Sequence, residues 1–136
     1  MGKWVWVCTK LVPLLLWIAI ILWIASRPSR FFFAPDGKPF FGLQRRFIQY
    51  PYHVSAFFIL AILFLRCFWS ANDCNVARKP EAFSLVGSVL VSICSELIQF
   101  YVPTRTPAFR DLALDVFGAT LAIIFVRHKR SGSDFK

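Results

Sequence analysis

At 136 residues the chain has room for one small domain, and 57% of it is hydrophobic and 18% aromatic, richer than an ordinary soluble domain. The formal charge of +9 raises nucleic acid as a partner, but the lysines and arginines lie in short patches beside apolar runs, where lipid head groups and membrane insertion account for them. The positions thus argue against nucleic acid, and Cys8, Cys67, Cys74 and Cys94 form neither a disulfide pattern nor a metal spacing and read as free, small core residues.

Apolar runs cover Val5 to Ala25, His53 to Trp69, Phe83 to Val102 and Leu112 to Val126. Each approaches the roughly 17 to 25 residues that cross a bilayer as a helix, so the sequence predicts an all-α, polytopic membrane protein with four transmembrane helices in one domain, residues 1–136. The first run is read as a retained helix rather than a cleaved signal peptide, because three more apolar segments follow it and Trp4, Trp6, Trp17 and Trp23 suit an interface. Lys10 can carry its ammonium to the surface on its long stem, and Pro13 falls near the helix start. The connection from Ser26 to Tyr52 mixes Phe31, Phe32, Phe33, Phe40 and Phe41 with Arg45 and Arg46, the composition of an interfacial loop between helices 1 and 2.

Four spans place both termini on one side, with nine of the lysines and arginines there and seven on the other. The cluster Arg127, Lys129 and Arg130, with His128 among them, opens a basic tail over 127–136 and assigns both termini to the cytoplasm of a cell-membrane protein. His53, Glu96, Asp111 and Asp115 then share a depth near the outer face, although they come from three different helices.

In the third helix, Ser84, Ser88, Ser92 and Glu96 recur every four residues and form one stripe, with Ser95 and Gln99 beside its end. Such a stripe avoids lipid and faces the bundle interior, where Ser88 and Ser92 serve packing. In the fourth helix, Asp111, Asp115 and Gly118 lie along one face, and Gly118 admits a neighbouring helix closely. Asp111 has a plain reading as a helix N-cap. Asp115 lies a turn deeper and is harder to dismiss as structural, its plain reading being a pair with Arg105 or Arg110. Pro103 and Pro107 stiffen the loop that carries Arg105, whose guanidinium would either neutralise Glu96 and Asp115 or hold an anionic ligand. His53, at the start of the second span, reads first as a satisfied interfacial residue. No HxxxH, HxxE or paired-cysteine spacing is present, and no nucleotide-binding loop, so neither metal nor cofactor is expected.

The late segment resembles the VanZ-like family, membrane proteins named for a teicoplanin-resistance protein. Its pattern of Glu-x-x-Gln, Val-Pro-x-Arg and Asp-x-x-x-Asn-x-x-Gly-Ala is similar to Glu96, Gln99, Val102-Pro103-Thr104-Arg105, Asp111 and Gly118-Ala119 here. Asp115 stands where that pattern has asparagine, and Tyr50 and Val54 stand near His53 where lysine and phenylalanine are usual. The resemblance implies a polytopic bacterial envelope protein, with some relatives linked to glycopeptide resistance, and supplies no reaction.

Three functions follow as expectations. The first is a non-enzymatic envelope protein whose outward polar pocket, built from His53, Glu96, Gln99, Arg105, Arg110, Asp111 and Asp115, binds a lipid-linked or cell-wall-related anionic group. The second is an intramembrane enzyme acting on a lipid head group, with Glu96 or Asp115 as acid and base and His53 assisting. The third is a structural or assembly partner in which the same charges lock helices together. Membrane lipids are the expected partners in every case.

Overall fold

The computed structural model describes residue 5 and residues 7–28, 45–70, 79–103, 105 and 108–131, with the side chains of 7, 45–48 and 70 set aside. Among these residues every regular element is helical. A π-helical turn, Val7–Leu11, leads into α1, Val12–Ala25; α2 is Arg45–Ser70, α3 is Pro80–Phe100 and α4 is Phe109–Ser131. Pro13 and Pro80 lie in the first turns of α1 and α3, where a missing N–H costs the helix nothing.

Among the described residues, three segments are long and apolar enough to cross a membrane: Cys8–Ala25, Gln49–Trp69 and Pro80–Phe100. The polarity of α3 is reversed relative to a helix in water. On α3, Val86, Leu90, Ile93 and Leu97 are exposed while Ser84, Ser88, Ser92, Ser95 and Gln99 are buried, an arrangement suited to hydrocarbon outside and hydrogen bonding inside. The molecule is therefore a membrane-embedded helical protein. α4 is 23 residues long, but its charged residues keep it out of that apolar group. Four spans were expected; three candidates are found among the described residues.

α2 is the hub. Phe57 and Leu60 pack against Leu14 and Ile21 of α1, with Trp17 donating its indole N–H to the Ala56 carbonyl at 3.0 Å. On another side of α2, Ala61 meets Ala119 and Ala122 of α4. The small residues let these two helices approach until a Cβ placed on Gly118 would overlap the Val54 carbonyl oxygen. α3 closes the third side, where Ser84 donates its hydroxyl to the Ala61 carbonyl at 2.9 Å.

The paired positions give the helix directions. Gln49 meets Asp111, His53 meets Asp115 and Trp69 meets Arg130, so α2 and α4 run parallel and nearly in register along their length. α3 runs against both.

One boundary differs clearly from the sequence reading. α2 begins at Arg45 rather than His53, and Pro51 is accommodated inside the helix. The interfacial loop is thereby shortened, and its residues 29–44 lie outside the described residues, as do Cys74, Pro107 and the end of the basic tail. The cysteines also part company: Cys67 is buried, with its Sγ 3.2 Å from the Lys10 carbonyl, whereas Cys8 and Cys94 are exposed rather than core.

A candidate polar binding site

The polar residues of α2, α3 and α4 gather at the end of the bundle where α1 finishes. On α2, Gln49 and His53 are one turn apart and project toward α4; on α4, Asp111 and Asp115 repeat the same interval. Gln49 donates from Nε2 to Asp111 Oδ2 at 2.6 Å, and the His53 Nδ1–H donates to Asp115 Oδ1 at 2.7 Å. The other imidazole nitrogen, Nε2, lies 3.8 Å from Asp111 Oδ2. Ser92 of α3 donates its hydroxyl to Asp115 Oδ2. Asp115 has no exposed surface, and both its oxygens are engaged from two different helices. A carboxylate so placed holds three helices in one register.

Ser92→Ala would leave Asp115 Oδ2 without its donor in a buried site, which costs about 1–3 kcal/mol. Thermal unfolding in detergent should show that loss, while Ser55→Ala, which removes only an exposed bond to the Tyr52 carbonyl, should leave the midpoint unchanged.

The elbow between α3 and α4 is drawn tight by successive i→i−3 backbone bonds. Tyr101 N–H donates to the Ile98 carbonyl at 3.1 Å, Val102 N–H to Gln99 at 3.1 Å, Arg105 N–H to Val102 at 2.9 Å and Asp111 N–H to Ala108 at 2.8 Å. Glu96 caps this elbow across the turn, accepting the Ala108 N–H on Oε2 at 3.0 Å. Arg105 is thereby carried toward the end of α1, where its guanidinium reaches the Ile24 carbonyl at 3.4 Å.

Beside this network a narrow cleft opens, with about 260 Å³ of empty space including its mouth. One wall is apolar, from Ile21, Ile24 and Ala25 of α1 and Phe57 of α2; the other carries Tyr52, His53, Ser95, Gln99 and Arg105. On that wall Ser95 already donates its hydroxyl to the Ser92 carbonyl at 2.8 Å and His53 its Nδ1–H to Asp115, and Asp111 and Asp115 themselves do not line the cleft. No group of three or more His, Cys, Asp or Glu side chains suited to a metal occurs among the described residues.

The structure thus brings together His53, Asp111 and Asp115, with Gln99 and Arg105 at the adjoining cleft. Several expected relations change. Asp115 pairs with His53, not with Arg105 or Arg110, because the parallel register of α2 and α4 sets the histidine opposite it. Arg110 is exposed and lies outside the cluster, its guanidinium 5.6 Å over the Tyr50 ring. Asp111 is not an N-cap: it is the third residue of α4, turned toward Gln49 and His53. Glu96 stands on the flank of the serine stripe, which passes from Ser92 to Ser95 and Gln99 instead. Gln49 was missed altogether. Its signal was the four-residue spacing to His53, hidden because the second span was taken to begin at His53.

A family model described as VanZ/LLP1 matches residues 10–130. The chain belongs to the VanZ/LLP1 family. The match takes in all four α-helices up to Arg130, so the His53–Asp115 pair, the elbow and the cleft all lie within the VanZ/LLP1 region. Among curated proteins and among solved structures, none matches the chain.

Proposed function

We propose that this VanZ/LLP1 protein binds the anionic group of a membrane-borne, lipid-linked ligand at the cleft, without itself carrying out a reaction. One observation carries the reading: the guanidinium of Arg105 and the amide of Gln99 line the cleft, while Asp111 and Asp115 do not line it and accept from Gln49, His53 and Ser92. An anion can accept there from the planar guanidinium fork and from the Gln99 amide. The alternative of Asp115 as acid or base fits less well, since its two oxygens are occupied and it has no exposed surface.

In this reading α4 is the fourth span. Its parallel register beside α2 supports the same depth, and Phe117, Leu121, Ile124 and Phe125 turn exposed apolar surface outward. The termini are then cytoplasmic, Arg127, Lys129 and Arg130 follow the positive-inside rule, and the cleft faces the outer side of the cell membrane. An envelope role at that face is also what the association of some VanZ-like relatives with glycopeptide resistance implies.

Arg105→Ala should weaken retention of anionic lipid by purified protein in nanodiscs at least about tenfold, the loss of roughly 1.4 kcal/mol. Arg110→Ala should leave it unchanged, since that side chain points away. Native mass spectrometry of the retained lipid reads both, and equal retention by Arg105→Ala and the unaltered protein would remove the proposed site.

A further inference from the structure

The two ends of the bundle differ in charge. Among the described residues the carboxylates are Glu96, Asp111 and Asp115, at the end that holds the cleft, and Glu81 in the first turn of α3. The end opposite the cleft gathers cations from three elements: Lys10 from the π-helical turn before α1, Arg66 from near the end of α2 and Arg130 from the last turn of α4. Contacts tie the outer two to α2. Cys67 Sγ is 3.2 Å from the Lys10 carbonyl, and the Arg130 guanidinium stands 4.6 Å over the Trp69 ring, so both elements reach α2 within one turn of Arg66. None of the three cations forms an ion pair.

An apolar strip leads away from these cations into the membrane. Successive helical residues turn by about 100°, which puts Arg66 between Cys67, on the α1 side, and Trp69, on the α4 side. Ile59, two turns earlier, lies on the same line, with Leu63 packed in the cluster shared with α1 and Ile62 in the one shared with α4. α1 and α4 flank this strip without meeting: no Cα of α1 or of the π-helical turn lies within 8 Å of one in α4. Ile59 is 40% exposed and Arg66 is exposed. The result is a groove floored by α2, cationic at one end and apolar about 10 Å further along the axis.

We propose that this groove seats an anionic phospholipid of the bilayer, its head group held by Lys10, Arg66 and Arg130 and its first chain carbons lying over Ile59. Charge complementarity commits the groove to that occupant. A zwitterionic head group would bring an ammonium to cations that have no carboxylate among them, since Glu81 belongs to α3, which covers a different side of α2. An anionic head group instead neutralises cations that otherwise face the head-group layer unpaired. Stacking on Trp69 uses the flat face of the Arg130 guanidinium and leaves its N–H edge to a phosphate oxygen. The indole also suits the level of the head groups, where tryptophan is enriched. This groove lies at the far end of α2 from the cleft, and its occupation does not depend on what the cleft binds.

The test uses the full chain in nanodiscs of phosphatidylcholine and phosphatidylglycerol in equal amounts, with chain lengths matched and retained lipid counted by native mass spectrometry. Phosphatidylglycerol should be retained at least about tenfold over phosphatidylcholine. Arg66→Ala and Arg130→Ala should each lower that preference about fivefold, the effect of one cation at an anionic surface, and Arg66→Lys, which keeps the charge, should retain it. Arg66 is exposed and unpaired, so its replacement leaves the helices intact, which circular dichroism checks. Equal retention of the two lipids, or a preference that survives both alanine substitutions together, would overturn the inference. A preference lost with Arg105→Ala and untouched by Arg66→Ala would overturn it as well and assign the anionic lipid to the cleft. Displacement of phosphatidylglycerol by millimolar glycerol phosphate would remove the lipid as occupant and identify a soluble anion, and a dimer lost with Arg66→Ala would assign the groove to a second copy of the chain.

Discussion

Asp115→Leu is expected to destabilise the protein by about 3–5 kcal/mol, the range for removing one partner from a buried ionic network. The His53 Nδ1–H and the Ser92 hydroxyl would both lose their acceptor inside the bundle, and leucine offers neither a replacement. Asp115→Asn should lose much less, about 1 kcal/mol, because the amide oxygen can still accept from His53 while the amide nitrogen donates to the Ser92 oxygen. The asparagine usual at this position in the VanZ-like pattern makes the same substitution a natural comparison. Unfolding in mixed micelles of increasing denaturing detergent, followed by tryptophan fluorescence, reads both variants. A leucine variant as stable as the unaltered protein would show that the network does not hold the helices together, and equal losses for leucine and asparagine would assign the stabilisation to charge instead of hydrogen bonding.

Gly118→Ala is expected to cost about 3 kcal/mol, the upper end of the overpacking range, although alanine is the better helix former. The added methyl would collide with the Val54 carbonyl oxygen, and the carbonyl carbon and Cα of Val54 stand only 3.0 Å away. These are backbone atoms of a packed helix, so relief requires α2 and α4 to separate. Separation would also lengthen the His53–Asp115 contact, which is made by residues beside Val54 and one turn before Gly118. Gly87→Ala is the control. Its methyl would meet only the far end of the Phe64 ring, at 2.8 Å, and that side chain can turn. The gain of roughly 0.5–1 kcal/mol from replacing a helical glycine should offset most of that adjustment. The same detergent titration should separate the two glycines clearly, and a Gly118→Ala protein with unchanged stability would mean that the close approach of α2 and α4 is not required.

The difference between these two glycines also marks the boundary between what the chain order reveals and what the fold adds. Apolar length and the four-residue recurrence of Ser84, Ser88 and Ser92 are local properties, and they determined a helical membrane protein with a polar interior face on α3. The same locality placed His53, Glu96, Asp111 and Asp115 at one depth, since depth along a helix follows from counting residues at about 1.5 Å each. Rotation about the helix axis is not local. Successive residues differ by about 100°, so whether Glu96 or Ser95 continues the stripe past Ser92 depends on how α3 is turned against its neighbours. That choice sent Glu96 to the Ala108 N–H and Gln99 to the cleft. Likewise, the close contact at Gly118 set the register of α2 against α4, gave Asp115 a histidine where an arginine was expected, brought Gln49 to Asp111 and left Arg110 outside over Tyr50. The sequence by itself determined which charges share a level in the membrane, because that is a matter of distance along the chain; only the packing of three helices decided which of them meet.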